Sequence, residues 1–467
     1  MRTRRATIVA DLGFGDAGKG SIIDFLARES SVSAVVRFNG GGQAHHNVVT
    51  QDGRHHTFSQ FGSGTFHRGV RTHLSRFMLL DPVSMEYEAK HLTEVGCGNP
   101  FNRLSIDGQA LVVTPFHKAG NRLREVLRGR GNHGTCGMGI GETMADSLVW
   151  NDAIRAIDLE DREGLEKKLT RIQERKREEF KSSFESHPVS TALKDEVRLL
   201  SDPAFPASFA ESLRLFAGKV KIVAGNYLKH LAAEGNLLFE GAQGVLLDEW
   251  HGFHPYTTWS TTTFHNALAL LREIGYDGQV EKLGVLRAYM TRHGPGPFVT
   301  EDTGLTIAIP DLHNGSEGWQ GGFRVGWLDF VTARYALAVS GGADSLAITN
   351  LDRLAGLPRI RACTAYCFEK GALRGKEVRA LSGYSGEEGG PPQATSLRPK
   401  EVLTDLSYQE TLTGILGKAT PLYEDMPKND DLYLEAVERN LSVPVSIFSY
   451  GPTARDKSFH AKLKLTA

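Results

Sequence analysis

Short runs of β-branched and apolar residues recur along this chain, each followed by a stretch with helical spacing of its apolar positions. That alternation predicts an α/β class with a large, mostly parallel central sheet and surrounding helices. Ala6–Ala10 reads as a buried strand, Gly18–Ala27 as a helix and Ser33–Phe38 as the next strand. Further strands are predicted at Leu237–Glu240, Lys282–Tyr289, Ser345–Thr349, Ile360–Tyr366 and Val443–Tyr450. Over residues 155–235 the pattern is helical and highly charged, with Leu159, Leu165, Leu169 and Ile172 on one face. This predicts a helical subdomain within a single domain spanning 1–467. Residues 382–398 are rich in Gly, Pro and Ser and read as a flexible surface loop.

Composition narrows the function. Lysine plus arginine (54) nearly balances aspartate plus glutamate (55), so no global field recruits nucleic acid or a membrane. Any polyanion must be met by a local site. Cys97, Cys136, Cys363 and Cys367 are too few and scattered for a disulfide framework, and Cys363 and Cys367 lack a second pair to complete a zinc site. No run of eighteen apolar residues occurs, and the first residues lack the apolar core of a signal peptide, so the expected compartment is the cytoplasm.

The segment VADLGFGDAGKGSIIDFLA places a glycine-rich turn between a strand and a helix. Backbone N–H groups and the positive end of the helix dipole make such a turn an anion site. Gly13, Gly15 and Gly18 fit a dinucleotide fingerprint, and Gly13 through Lys19 fit a phosphate loop. A dinucleotide site wants an acid at the end of the second strand, which here ends Arg37-Phe38-Asn39. A phosphate loop wants the lysine, and Lys19 is present, but Gly20 replaces the Ser or Thr that holds Mg²⁺. Asp16, inside the loop, is the hard oxygen ligand left to hold the metal.

GDAGKGSIIDFL, followed by VVRFNGGGQAHHNVV, resembles the N-terminal signature of adenylosuccinate synthetases. GTCGMGIG, FEGAQGVLLD, LRAYMTRHGPGPFVTE, GWLD, TNLDRLAGL, YEDMP and SYGP continue the likeness in the family's order across nearly the whole chain. The resemblance implies a homodimeric ligase of phosphate-loop-related fold, with GTP as co-substrate and Mg²⁺ as cofactor. In the reaction this likeness implies, GTP phosphorylates O6 of IMP or a related 6-oxopurine monophosphate, and the amino group of aspartate displaces that phosphate. It also implies catalytic roles for Asp16, as base on purine N1 and metal ligand, for His46 on the transferring phosphoryl group and for Gln243 at the purine 6-position. The nucleotide triphosphate would meet Gly15, Gly18, Lys19, Gly20, Asn350, Asp352, Ser449 and Gly451, with Asp352 reading guanine. The purine monophosphate would meet Gln43, Thr135, Cys136, Gln243, Thr258 and His293. The backbone carbonyl of His45 would complete the metal site.

Departures from the family pattern gather on the acceptor and donor side. Cys136 stands for a threonine, Met138 for an arginine, Gln43 for an asparagine, His45 for a glycine and Asn350 for a lysine. An arginine that reaches the partner subunit's nucleotide is missing around Trp150-Asn151. In EGWQGGFRVGWLD (317–329) only Arg324 remains of an arginine cluster, leaving Arg324, Gly322 and Met138 as candidate donor contacts. Burying both carboxylates of aspartate needs fixed cations, so aspartate is expected to be a poor donor or to find its second cation elsewhere. Two other readings stand beside this one: a paralogue with a different acceptor or donor, and a GTP-binding regulatory module with little catalysis.

Overall fold

The computed structural model describes residues 4–29, 31–129, 133–186, 193–311, 321–386 and 390–460. Ten strands form the central sheet: β1 (Arg5–Asp11), β2 (Val32–Arg37), β3 (Arg71–Leu74), β4 (Leu104–Asp107), β5 (Lys221–Val223), β6 (Asn236–Gly244), β7 (Gln279–Arg287), β8 (Ser345–Thr349), β9 (Val445–Ser449) and β10 (Lys457–Phe459). Their spatial order is β10-β9-β8-β7-β1-β6-β2-β3-β4-β5. All neighbours run parallel except β9 and β10. The runs Ala6–Ala10, Ser33–Phe38, Ser345–Thr349 and Val443–Tyr450 therefore lie in one sheet, as their apolar continuity predicts for strands covered on both faces.

β1 is the pivot. Its neighbours come from far along the chain, β6 on one side and β7 on the other. The insertion of β6 between β1 and β2 puts 203 positions of sequence between Asn39 and Ala242, yet Asn39 Nδ2 donates to the Ala242 carbonyl at 3.0 Å. Ligands of open parallel sheets collect at the carboxyl ends of strands where the winding reverses. Here that place is occupied by the loop leaving β1.

The strand predicted at Ile360–Tyr366 is present, outside the central sheet. Arg361–Cys367 belongs to a separate small sheet, pairing with Leu328–Asp329, Gln393–Ala394 and Thr420–Asp425. Within the 382–398 stretch, Ser396–Leu397 pairs with Leu381–Ser382, and Ala394 and Leu397 are buried. Short paired strands satisfy backbone groups that a Gly/Pro-rich composition suggests would be left to water. Residues 387–389 lie outside the described residues.

Within 155–235 the helices are Arg162–Ser186, Lys194–Ser201, Phe205–Ala217 and Tyr227–Glu234. Leu159, Leu165, Leu169 and Ile172 are buried in one apolar cluster with Leu213 and Phe216. β5 interrupts this run by extending the central sheet beside β4, and Leu228 and Leu231 pack with β1 and β2 residues. Periodicity alone does not reveal that a three-residue strand closes the sheet edge.

The long helix Arg162–Ser186 is pinned by charge as well. Lys176, 2% exposed, donates to Glu142 Oε2 at 2.6 Å, Asp146 Oδ1 at 3.0 Å and Glu179 Oε2 at 3.3 Å. Removing one partner of a buried ion cluster leaves the other charges uncompensated. Lys176→Met is expected to destabilise the fold by about 3 kcal/mol, seen as a lower urea midpoint in circular dichroism. An unchanged midpoint would show that Arg124 and Arg175 satisfy those carboxylates without it.

Candidate active site

The candidate site begins where β1 ends. Asp11 turns into the loop Leu12–Gly18, and α1 (Lys19–Glu29) starts at the lysine. Gly15 and Gly18 have φ of 97° and 85°, and Asp16 between them has φ of 59°. Among the described residues only four non-glycine positions have such left-handed φ: Asp16, Gln243, Asn350 and Ser442. Three of the four are candidate site residues. Strained backbone of this kind concentrates where geometry is imposed by the surroundings.

The end of β6 presses on this loop. A Cβ at Gly244 would lie 2.2 Å from the Gly13 carbonyl and 2.3 Å from Gly15 N. Leu246 N donates to that same Gly13 carbonyl at 3.0 Å. A shift in the β1–β6 register between Val9 and Asp11 accommodates this approach and turns Gln243 into its left-handed conformation. On the other side, Thr349 Oγ1 at the end of β8 donates to the Ala17 carbonyl at 2.8 Å. Arg287 Nε donates to the Asp16 carbonyl.

Gly20 has a reason that its motif does not reveal. A Cβ there would stand 2.6 Å from His46 Cβ and 3.0 Å from Ser63 Oγ. The serine or threonine of an ordinary phosphate loop is therefore excluded by the His46 Cβ and backbone packed on the first turn of α1. His46 starts the strand His46–Val49 and is 8% exposed. Its Nδ1 lies 2.6 Å from Glu240 Oε1. Burial pushes the imidazole down to about 4, against the opposing pull of Glu240. Burial alone would raise the Glu240 carboxyl, but Arg37, His46 and Ser63 outweigh it and hold the acid at about 2. His46 is thus neutral beside a carboxylate. Nδ1–H donates to Glu240, and Nε2 is the nitrogen left for a ligand.

Gly40 and Gly41 lie against two glutamine amides. A Cβ at Gly40 would come within 3.1 Å of Gln243 Oε1, and one at Gly41 within 3.2 Å of Gln43 Oε1. Gln243 Oε1 and both amide atoms of Gln43 are buried without a hydrogen-bond partner among the described residues. Unpaired buried amides are costly, so these two point to a ligand that completes them. Beside them, Glu125 Oε2 accepts from the N–H groups of His133, Gly134 and Thr135 at 3.0–3.3 Å and shapes the 134–141 loop. Thr135 Oγ1 accepts from Asn121 at 2.9 Å. Burial raises the Cys136 thiol, so it is a neutral wall rather than a nucleophile. Trp259, next to Thr258, packs against Gly141, and Thr258 N donates to the Leu247 carbonyl at 2.8 Å.

The hairpin of Met290–His293 and Phe323–Gly326 forms another wall. His293 Nε2 lies 3.4 Å from Asp16 Oδ2, and the Phe323 ring packs edge-on to it with centroids 4.8 Å apart. Arg324 is already engaged: it donates to Glu301 at 2.8 Å and to the Gly294 and Gly296 carbonyls, and it sits over Phe298. As a donor clamp it would have to leave Glu301 or share it. A Cβ at Gly322 would meet nothing within 4 Å. Met138 lies 3.6 Å from where a Gly42 Cβ would be and packs against Leu79, Leu111, Val113 and Ile140. The residues 317–320 of the donor stretch lie outside the described residues.

Asp352 is exposed just past β8, in the turn that begins at Asn350. Ser449 Oγ donates to the Gly451 carbonyl at 3.1 Å, and Lys457 Nζ reaches the same carbonyl at 3.1 Å. Burial lowers Lys457 to about 8 despite nearby Asp24, Asp456 and Asp352. His45 is exposed, near enough to Asp16 and His293 to feel both charges.

Glu240, Ser63, Arg287 and Lys457 were not singled out as site residues in the sequence. Glu240 had a visible signal, an acid inside the apolar run LLFEGAQG. The other three reach the site only through tertiary contacts.

A sequence model of the adenylosuccinate synthetase family matches residues 8–458. A relative named adenylosuccinate synthetase from Desulforamulus reducens is 33% identical over 453 residues, covering 95% of this chain and 96% of that protein. The solved structure of fully ligated adenylosuccinate synthetase from Plasmodium falciparum matches with a TM-score of 0.74 at 22% identity, covering 97% of this chain and 99% of that one. A succinoaminodeoxyadenylate synthetase of cyanophage S-2L, solved with dGMP and dATP, matches with a TM-score of 0.57 at 14% identity, covering 98% and 96%. At these identities the two structures speak to the fold.

Gly20→Ser restores the phosphate-loop consensus, yet it is expected to lower turnover roughly a hundredfold, because a displacement of about 1 Å at a reacting group has that effect. Steady-state rates on folded protein check this. Unchanged turnover would mean that His46 moves aside freely.

Proposed function

Because this chain belongs to the adenylosuccinate synthetase family, ligases that form a carbon–nitrogen bond from IMP, GTP and aspartate, we propose that its reaction centre is the space between Asp16, His46 and Gln243. The observation that carries this reading is the buried His46, held by Glu240 and packed on Gly20 of the phosphate loop. Nothing in the comparisons favours a changed acceptor, a changed donor or a purely regulatory module.

Chemistry follows from these placements. Purine O6 is a poor nucleophile while N1 carries its proton. Asp16 takes that proton, and the electron pair shifts onto O6, which attacks the γ-phosphorus as GDP leaves. His46 Nε2 meets an equatorial phosphoryl oxygen. As that anion approaches a ring already bonded to Glu240, Nε2 takes up a proton from solvent, so the imidazole donates where charge accumulates. The neutral amino nitrogen of aspartate then attacks C6, the C6–O6 bond breaks, and phosphate departs with O6 and the proton that the nitrogen sheds. Gln243 holds the 6-position, and Gln43, Thr135, Cys136 and Thr258 line the acceptor side. His293 positions the Asp16 carboxylate from the donor hairpin.

Asp352 accepts from guanine N1–H and the 2-amino group, with Ser449 and Gly451 over the base. Among the described residues no cluster of three or more acidic, His or Cys side chains is arranged for a metal ion. A lone carboxylate suits Mg²⁺, which takes one or two protein oxygens and fills its sphere with water and substrate phosphates. Asp16 and the His45 carbonyl would hold it there, and it would neutralise charge on the phosphates. A homodimer and a cytoplasmic setting complete the proposal; no helix among the described residues is long and apolar enough to cross a membrane.

Incubation with GTP, Mg²⁺, IMP and aspartate is expected to yield adenylosuccinate by mass spectrometry, alongside a screen of other purine monophosphates and amino acids. Asp16→Asn and His46→Asn are each expected to reduce turnover by about a hundredfold or more. Product from another acceptor or donor only, or normal rates in either variant, would overturn the assignment it concerns.

Asp352→Asn is expected to weaken GTP use and improve use of XTP, whose 2-oxo group can accept from an amide. A wild-type preference for ATP, measured as kcat/KM, would remove Asp352 from base recognition.

A further inference from the structure

The phosphate loop holds a charge that its motif does not ask for. Asp11, at the end of β1, is 1% exposed. Its Oδ1 accepts from Gly13 N at 2.8 Å, and its Oδ2 accepts from Ala17 N at 2.9 Å and Lys19 Nζ at 3.0 Å. Lys19 is itself only 3% exposed. The cation expected to meet the nucleotide's phosphates is therefore paired, out of water, with a carboxylate of its own chain. Two of the loop's N–H groups are claimed by the same acid. Gly13 leaves room for it, since a Cβ there would stand 3.3 Å from Asp11 Oδ1.

An incoming triphosphate brings negative charge to a loop that already contains Asp11 and Asp16 against one lysine. For Lys19 to serve the phosphates it must leave Asp11 or divide its donors with it. In either case the ion pair stabilises the empty loop and opposes the filled one. We propose that Asp11 is an internal counter-ion that competes with the nucleotide's phosphates for Lys19 and so keeps the nucleotide exchangeable. This rests on the reading of the loop as the GTP site.

A mere cap for the loop predicts the opposite sign. If Asp11 only organised the Gly13 and Ala17 N–H groups, weakening it would loosen the loop and weaken binding. If it competes, neutralising it leaves Lys19 buried without a counter-ion in the empty protein and lifts repulsion in the filled one. Both effects tighten binding.

The test is GTP binding by isothermal calorimetry without Mg²⁺, together with the nucleotide-induced rise in Tm. Asp11→Asn is expected to bind GTP at least tenfold more tightly, and to start from a lower Tm that nucleotide raises further than in wild type. Equal or weaker binding by folded Asp11→Asn overturns the proposal. Should that variant not fold, Lys19→Met and Asp11→Asn/Lys19→Met carry the test. Competition for Lys19 requires Lys19, so these two proteins should bind alike. A tenfold difference between them overturns it. Wild type that binds no GTP overturns the nucleotide reading, which is a different result from wild type that binds and Asp11→Asn that does not gain.

Discussion

Glu240 is a carboxylate in the interior strand of a parallel sheet with none of its surface exposed. A charge so placed must be paired and hydrogen-bonded, since an unpaired buried ion costs several kcal/mol. Its partners come from three separate segments. Arg37 at the end of β2 supplies charge, Ser63 supplies its N–H and hydroxyl, and His46 supplies a ring nitrogen. Satisfying this one acid fixes β6 against β2 and brings the 46–63 region over the phosphate loop. Arg37 in turn is wholly buried and donates to the Phe61 carbonyl at 3.1 Å, so the same requirement extends to the next turn of chain.

From there the demands are steric. His46 can lie over α1 only because Gly20 has no Cβ, and β6 can reach the phosphate loop only because Gly244 has none. Backbones that approach this closely leave little slack. Asp16 and Gln243 adopt left-handed φ despite carrying side chains, and contacts from β7 and β8 through Arg287 and Thr349 hold the loop from the far side. Rigidity of this kind suits phosphoryl transfer, where positioning and charge stabilisation supply most of the rate.

The donor side is built differently. Arg324 is committed to Glu301 and to the Gly294 and Gly296 carbonyls, and Met138 lies against Gly42. Of the three residues grouped as donor contacts from a sequence pattern, Arg324 therefore already has partners of its own. A pattern records which residue types occur in order. It does not record that an arginine already has an acid from a neighbouring turn.

Local order was legible because its causes are local. β-branched runs predict strands that are buried on both faces, and a strand, a glycine turn and a lysine predict an anion site from backbone geometry within twenty residues. The sequence by itself therefore determined the α/β class, the phosphate loop, and the oddity of an acid inside that loop where a hydroxyl should follow the lysine. It could not reveal that β6 inserts between β1 and β2, that Arg361–Cys367 leaves the main sheet, or that β5 closes its edge, since strand order depends on long-range packing. Nor could it reveal why Gly20 is glycine or why Lys19 is paired with Asp11. Those answers depend on which side chains meet in a filled interior, and only the tertiary structure decides that, because two atoms cannot share a volume and a buried charge cannot go unpaired.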